Sequence, residues 1–264
     1  MKPVERPKIT LACMSLMWGY DLTNEAMADW LNDSKAAGYD GVATFDRNLL
    51  RFVREADFKN RLAGKGLSLA SVDWRVSRDL DGLKALCEVM ASMGCRHLVA
   101  LMGESKRPAD VQQVADLLNQ AGRIALDHGI QACYHNHTNS VGETLQQTED
   151  LLARTDPQVF FGFVDTGHAT KDFVEYPAAE RAAVFLERNW DRLRFLEFKD
   201  WSPETDLNTE VGAGRCDYAA VFRILKDKGY SGWITVEQNG PMGSRTRLES
   251  ATASREFIRK GLGV

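Results

Sequence analysis

The chain lacks the features that mark several large classes of protein. No apolar run approaches the roughly 18 residues a membrane span requires, and Met1-Lys-Pro-Val-Glu-Arg-Pro-Lys8 has none of the apolar core of a signal peptide. A cytoplasmic location without a membrane partner is the expectation. No block of five or more Lys and Arg occurs and the net charge is only −4, so the electrostatic footprint of nucleic-acid binding is missing. Cysteine is sparse: Cys13, Cys87, Cys95, Cys133 and Cys216 form no C-x-x-C pair, are odd in number and have mostly apolar neighbours. They read as reduced, buried thiols rather than a disulfide framework. No Pro/Ser-rich linker divides residues 1–264, which predicts a single domain, and Met17-Trp-Gly-Tyr-Asp21 after the first apolar run is not the G-x-G-x-x-G of a dinucleotide site.

Short apolar runs do recur. They begin near Ile9, Tyr39, Leu67, Arg96, Ile130, Val159, Leu193 and Trp233. Between them lie stretches with helical spacing, clearest from Ala109 to His128, where Val111, Val114, Leu117, Leu118, Ala121, Ile124 and Ala125 share a face. Further helices are predicted across Glu25–Ala37, Leu49–Ala63, Leu80–Met93, Leu145–Arg154, Pro177–Leu193 and Tyr218–Lys228. Gly38, Gly94, Gly129 and Gly229 stand where several of them should stop. Strand, helix and glycine stop repeating in this way predict an α/β protein whose simplest closed form is a (β/α)8 TIM barrel.

Such a barrel carries its active site at the C-terminal ends of its strands. Four runs in the second half of the chain end in a metal-ligand residue type. These are Ile130-Gln-Ala-Cys-Tyr-His135, Phe160-Phe-Gly-Phe-Val-Asp165, Leu193-Arg-Phe-Leu-Glu197 and Trp233-Ile-Thr-Val-Glu237. Three carboxylates facing one another repel and raise each other's pKa unless a cation neutralises them. A divalent metal held by His135, Asp165, Glu197 and Glu237 resolves the conflict. One imidazole and three carboxylates form a hard, oxygen-rich set, which favours Mn²⁺, with Mg²⁺, Co²⁺ or Zn²⁺ as alternatives. Each residue also has a plainer reading: His135 as a core histidine, Asp165 as a helix N-cap, Glu197 as an exposed strand-end charge. Lys199 shares a strand face with Glu197 and is placed to bind substrate or give a proton. His137 and His168 are candidates for substrate contact or proton transfer. Glu143, just before a helix capped by Thr144, is either a helix-dipole carboxylate or an acid/base group. Trp18 and Trp74 are candidate sugar-stacking walls or core residues. The arginines of Gln238-Asn-Gly-Pro-Met-Gly-Ser-Arg-Thr-Arg247 could bind an anion or be solvated.

Tyr134-His-Asn-His137, Asp165-Thr-Gly-His168, Phe198-Lys-Asp200, Val211-Gly-Ala-Gly-Arg-Cys-Asp-Tyr218 and Gly229-Tyr-Ser-Gly-Trp-Ile-Thr-Val-Glu237 resemble the xylose isomerase-like sugar isomerase/epimerase superfamily. His135-Asn-His137 followed by Gly142-Glu-Thr144 looks most like its inosose dehydratase branch. The resemblance implies a TIM barrel with one divalent metal, ligated by Glu, Asp, His and Glu on strands five to eight. Asp165 and Glu237 match. His135 stands where many members have Glu, and Glu197 where most have His, so the base that epimerases keep on strand five is displaced, to Glu143, His168 or Glu197. The implied reaction is α-proton abstraction from a polyhydroxy ketone or aldehyde, most simply by Glu237, through a metal-stabilised enediolate. Reprotonation gives a sugar isomerase or epimerase, the first expectation; loss of a β-substituent gives an inosose dehydratase-like lyase, the second. A non-catalytic sugar-binding or scaffold subunit is the alternative from another class. The expected partner is a small sugar or cyclitol, and a homo-oligomer is compatible with the resemblance.

Overall fold

A computed structural model describes residues 9–102 and 110–264. The N-terminal octapeptide and the Ala109 start of the fourth predicted helix lie outside the described residues. Strands β1 (Ile9–Met14), β2 (Gly41–Phe45), β3 (Ser68–Arg75), β4 (His97–Leu101), β5 (Gln131–Tyr134), β6 (Phe160–Asp165), β7 (Leu193–Phe198) and β8 (Gly232–Val236) arise at the eight apolar runs. Each pairs in parallel with its successor, and β1 pairs with β8 to close the barrel. Strands covered on both faces have no solvated side, which is why they read as continuous apolar runs rather than alternating ones.

Among the described residues ten α-helices surround them: α1 (Asn24–Ala36), α2 (Asp46–Glu55), α3 (Phe58–Lys65), α4 (Leu80–Ser92), α5 (Val111–Asp127), α6 (Leu145–Arg154), α7 (Thr166–Asp172), α8 (Arg181–Asn189), α9 (Tyr218–Asp227) and α10 (Arg247–Leu262). None is long and apolar enough to cross a membrane. The four glycines expected to stop helices all have positive φ. Three expectations need correction. The predicted helix over Leu49–Ala63 is two helices, because Asp57 takes a left-handed φ of 48° between them. The one from Pro177 begins at Arg181 and ends in a 3-10 turn, Trp190–Arg192. Two helices are additional: α7, which is too short and too uniformly buried to show a period, and α10. The inner face of α10 uses Ser250 and Ser254 beside Ala251 and Ile258, which blurs its apolar stripe. Its start was legible as the capping box of Thr246 and Glu249.

Alternation sorts the barrel interior into layers. Val99, Cys133, Phe163 and Phe195 form an apolar cluster inside the barrel, level with a Ser71–Thr235 hydroxyl pair 3.3 Å apart. Two residues further along their strands stand Asp73, His135, Asp165, Glu197 and Glu237, above that floor. All five cysteines are free, and burial pushes the thiols of Cys13, Cys95 and Cys133 up to about 12.

The β5–β6 ladder is extended by a side chain. Asn136 donates from Nδ2 to the Asp165 carbonyl (3.1 Å) and accepts the Asp165 N–H at Oδ1 (2.9 Å), copying a strand partner where β5 has ended. Asn136→Ala would leave the buried N–H of Asp165 unpaired, at about 1–3 kcal/mol, while its carbonyl keeps the N-cap place in the first turn of α7. Urea unfolding should therefore show a loss of roughly 1–3 kcal/mol; a change near zero would refute this account of the β5–β6 junction.

Candidate active site

The strand ends open into a cavity of about 490 Å³. Asp73, His135, His168, Lys199 and Glu237 line it, while Asp165 and Glu197 lie beneath, fully buried. Asp165, the last residue of β6, uses its two oxygens differently. Oδ1 accepts the N–H groups of Gly167 (2.7 Å) and His168 (2.9 Å) and so caps α7, while Oδ2 sits 3.2 Å from His135 Nε2. The N-cap and site readings of Asp165 thus describe two oxygens of one carboxylate. Burial works against its charge, but His168, Lys199 and His135 outweigh burial and hold it well below the usual carboxylate range.

His135 is enclosed by carboxylates. Nδ1 lies 3.5 Å from Asp73 Oδ2, and Nε2 lies 3.8 Å from Glu197 Oε1 as well as close to Asp165. Burial alone would lower its pKa; the hydrogen bond to Asp165, the approach of Asp73 and the charges of both carboxylates push it up to about 9. Glu197 is pushed well above the ordinary range by burial, then by the charges of Glu237, Asp165 and Asp73. Lys199, directly after β7, pairs through Nζ with Glu237 and lies 4.0 Å from Asp165. Burial disfavours its ammonium, but Glu237, Asp165 and Glu197 raise its pKa above the usual value.

Gly167 is placed by close packing rather than by a turn. It lies inside α7, and a Cβ there would come within 2.7 Å of Lys199 Cγ and 3.0 Å of its carbonyl carbon. The segment from Thr166 to His168 is the first turn of α7. Thr166 donates to the Lys199 carbonyl (2.8 Å) and accepts the Lys199 N–H (3.0 Å), so β6, α7 and the end of β7 are locked together. His168 is anchored at Nδ1 by Thr138 Oγ1 (3.0 Å) and Asp172 Oδ2 (3.4 Å), which leaves Nε2 3.8 Å from Asp165 Oδ2. His137 lines the cavity with its ring 4.1 Å from that of His168. Burial, and then neighbouring positive charge, lowers the pKa of both.

Asp200, fully buried next to Lys199, gathers backbone N–H groups. It accepts N–H groups from Trp201 (2.8 Å), Gly212 (3.0 Å), Gly214 (3.0 Å) and Cys216 (3.2 Å), which accounts for the Phe198-Lys-Asp200 and Val211-Gly-Ala-Gly-Arg-Cys segments as one backbone knot. Glu143 lies outside the cavity lining, and its backbone N–H donates to Gln147 at the start of α6. Trp18 and Trp74 are core residues rather than stacking walls; Trp18 donates to Asp33 at 2.9 Å, and Trp74 is buried in the outer apolar layer. Tyr20, Phe45, Leu16, Leu101 and Met102 form the apolar wall instead. Arg245 pairs with Glu210 (2.8 Å) and Arg247 donates to the Met17 carbonyl (3.0 Å), so neither faces the cavity as an anion site. Sequence reasoning missed Asp73, although Leu67-Ser-Leu-Ala-Ser-Val-Asp73 is another apolar run ending in a carboxylate. It also missed Thr138 and Asn136, whose types gave no signal of their own.

A divalent cation fits this donor set. Asp165, Glu197 and Glu237 each bring one oxygen, and His135, Asp165 and His168 each one ligand atom, to within 4.8 Å of one another. Glu197 Oε1 is buried with no hydrogen-bond partner among the described residues, and an orphaned buried carboxylate oxygen is costly unless a cation satisfies it.

The chain is 29% identical to an inosose dehydratase from Klebsiella pneumoniae over 170 residues, 58% of this chain and 56% of that one. The match thus spans little more than half the length of that relative. Among solved structures, D-allulose 3-epimerase from Methylomonas superposes with a TM-score of 0.78 at 18% identity, covering 97% of this chain and 99% of the other. A Mycobacterium smegmatis protein solved with magnesium superposes with a TM-score of 0.75 at 18% identity over 96% of both chains. Both share the fold. A family model described as xylose isomerase-like TIM barrel matches residues 31–261, most of the chain, which therefore belongs to that family.

Proposed function

We propose that the protein is a divalent-metal-dependent lyase that removes the α-proton of a polyhydroxy ketone, a sugar or cyclitol, and expels its β-hydroxyl as water. The observation that carries this reading is the Glu237–Lys199 pair, which faces the cavity with an oxygen of Glu237 within 4.8 Å of one of Glu197. His135, Asp165, Glu197 and Glu237 are the proposed ligands, and their hardness favours Mn²⁺, Mg²⁺ or Co²⁺ over Zn²⁺. A cation bound there polarises the substrate carbonyl and so acidifies the adjacent C–H.

Glu237 is the proposed base, fixed in direction by Lys199. As it takes the α-proton, the C–H electron pair becomes the new Cα=Cβ bond and the Cβ–OH bond breaks. The leaving hydroxide takes a proton from Lys199 or through His168, both of which line the cavity. Asn139, Asn239, Lys171 and Asp206 at the rim offer donors and acceptors to the remaining hydroxyls. Two features favour elimination over reprotonation. The Klebsiella relative is an inosose dehydratase, and the strand-five position that epimerases fill with a base is here His135, held between Asp73 and Asp165. Isomerisation or epimerisation is the second reading. It is supported by His168, whose Nε2 is turned toward the cluster from α7, and by the epimerase among the fold neighbours.

Turnover of a keto-cyclitol or ketohexose with Mn²⁺ in D₂O, followed by NMR, should yield an unsaturated ketone and water. Solvent deuterium in an isomeric product would move the assignment to the epimerase reading. No turnover together with no metal-induced thermal shift would leave a non-catalytic barrel. Stripping metal with a chelator should abolish turnover and Mn²⁺ should restore it; at 100 times Kd, metal should add about 2.7 kcal/mol of stability. Glu237→Gln should lower kcat by about 10²–10⁴, and near-normal turnover in that variant would remove Glu237 from the mechanism.

A further inference from the structure

The carboxylate on β3 has no part in the chemistry above. Asp73 is 2% exposed and its Oδ2 has no hydrogen-bond partner among the described residues. The same is true of His135 Nδ1, and the two orphaned atoms lie 3.5 Å apart. Asp73 belongs to neither group of converging ligand atoms. The other ring nitrogen of His135 is the one turned toward Asp165 and Glu197.

An imidazole that gives the lone pair of Nε2 to a cation must keep its proton on Nδ1, and that proton needs an acceptor in a buried site. Packing alone does not supply one. Phe163 borders the ring at 5.1 Å between centroids, and the His135 backbone N–H is already used on the Ala100 carbonyl (3.0 Å). Neither contact fixes which nitrogen is protonated or how far the ring turns about its Cβ–Cγ bond. A carboxylate at Nδ1 fixes both.

We propose that Asp73 is the positioning residue of His135: it accepts the Nδ1–H and so presents Nε2 to a divalent cation. This inference rests on the metal-site reading under Proposed function. It also gives Asp73 a role independent of which reaction follows, because ligand orientation precedes any choice between elimination and reprotonation.

The test uses the full chain, stripped by chelator and reloaded with Zn²⁺ alone, which is diamagnetic and suits NMR of ¹⁵N-labelled histidine. In the wild type, His135 should show a protonated, hydrogen-bonded Nδ1 and a metal-bound Nε2; an unprotonated or metal-bound Nδ1 would overturn the proposal without recourse to any variant. Asp73→Ala should weaken Zn²⁺ binding by about 10–100-fold in competition with a chromophoric chelator, and His135 should lose its single tautomer. Asp73→Asn keeps an acceptor oxygen in place and should recover most of the affinity and the tautomer. Zn²⁺ binding by Asp73→Ala as tight as wild type, with the tautomer unchanged, would overturn the positioning role and leave the metal site standing. Failure of the wild type to bind both Zn²⁺ and Mn²⁺ would overturn the metal site and this inference together.

Discussion

Asp165 is wholly buried, and the rest of the site depends on how its charge is compensated. One oxygen is spent on the first turn of α7, where two backbone N–H groups and the positive end of the helix receive it. The other meets His135. The carboxylate that opens α7 therefore also sets where His168, three residues on, emerges. Thr166, in the first turn of that helix, ties down the end of β7 from which Lys199 projects. Asn136 holds the Asp165 backbone from the β5 side. Moving Asp165 would displace groups on β5, β6, α7 and β7 together.

Four carboxylates share this barrel end, Asp73, Asp165, Glu197 and Glu237, and burial penalises charge on each deeply buried one. Lys199 and His135 are the cations that face them. They do not serve all equally. Asp165, reached by both, stays ionised, whereas Asp73 is pushed up to about 6 by burial despite its contact with His135. Glu197 is pushed further, because three carboxylates add to its burial and Lys199 only partly offsets them. A divalent cation would act where this compensation is weakest, at the orphaned oxygen of Glu197.

The barrel was legible because a strand buried on both faces has no choice but to be apolar, and because glycine at positive φ marks the helix stops. The strand-end residues His135, Asp165, Glu197 and Glu237 were legible for the complementary reason, as ionisable types at the ends of apolar runs. Other parts depend on contacts distant in sequence. Asp57 breaks a helix that periodicity carries straight through, and α10 buries serines because Ser254 accepts the Val211 N–H and Ser250 donates to Glu210. Trp18 and Trp74 have the residue type of a sugar platform, but Trp18 binds Asp33 and the strand parity of Trp74 turns it outward. Asp73 carries the same signal as the four strand ends in the second half, an ionisable residue closing an apolar run, but on a strand of the first half.

The layering of the barrel also explains why an imidazole can stand on β5 and a carboxylate on β7, the reverse of the arrangement that the family resemblance implies. Side chains in one layer of such a barrel come from alternate strands, so Asp73 on β3, His135 on β5 and Glu197 on β7 are successive members of one layer. His135 stands between the other two, 3.5 Å from Asp73 and 3.8 Å from Glu197. A glutamate on β5 would place three carboxylates in succession with no cation of their own layer among them, a repulsive arrangement in a buried site. With the imidazole in the middle, a ring that carries no negative charge separates the two carboxyl groups of its layer, while the even strands β6 and β8 bring Asp165 and Glu237 to Lys199. The exchange between β5 and β7 is thus the counterpart of a carboxylate on β3, and the three positions are best understood as one unit rather than as two separate departures from a pattern.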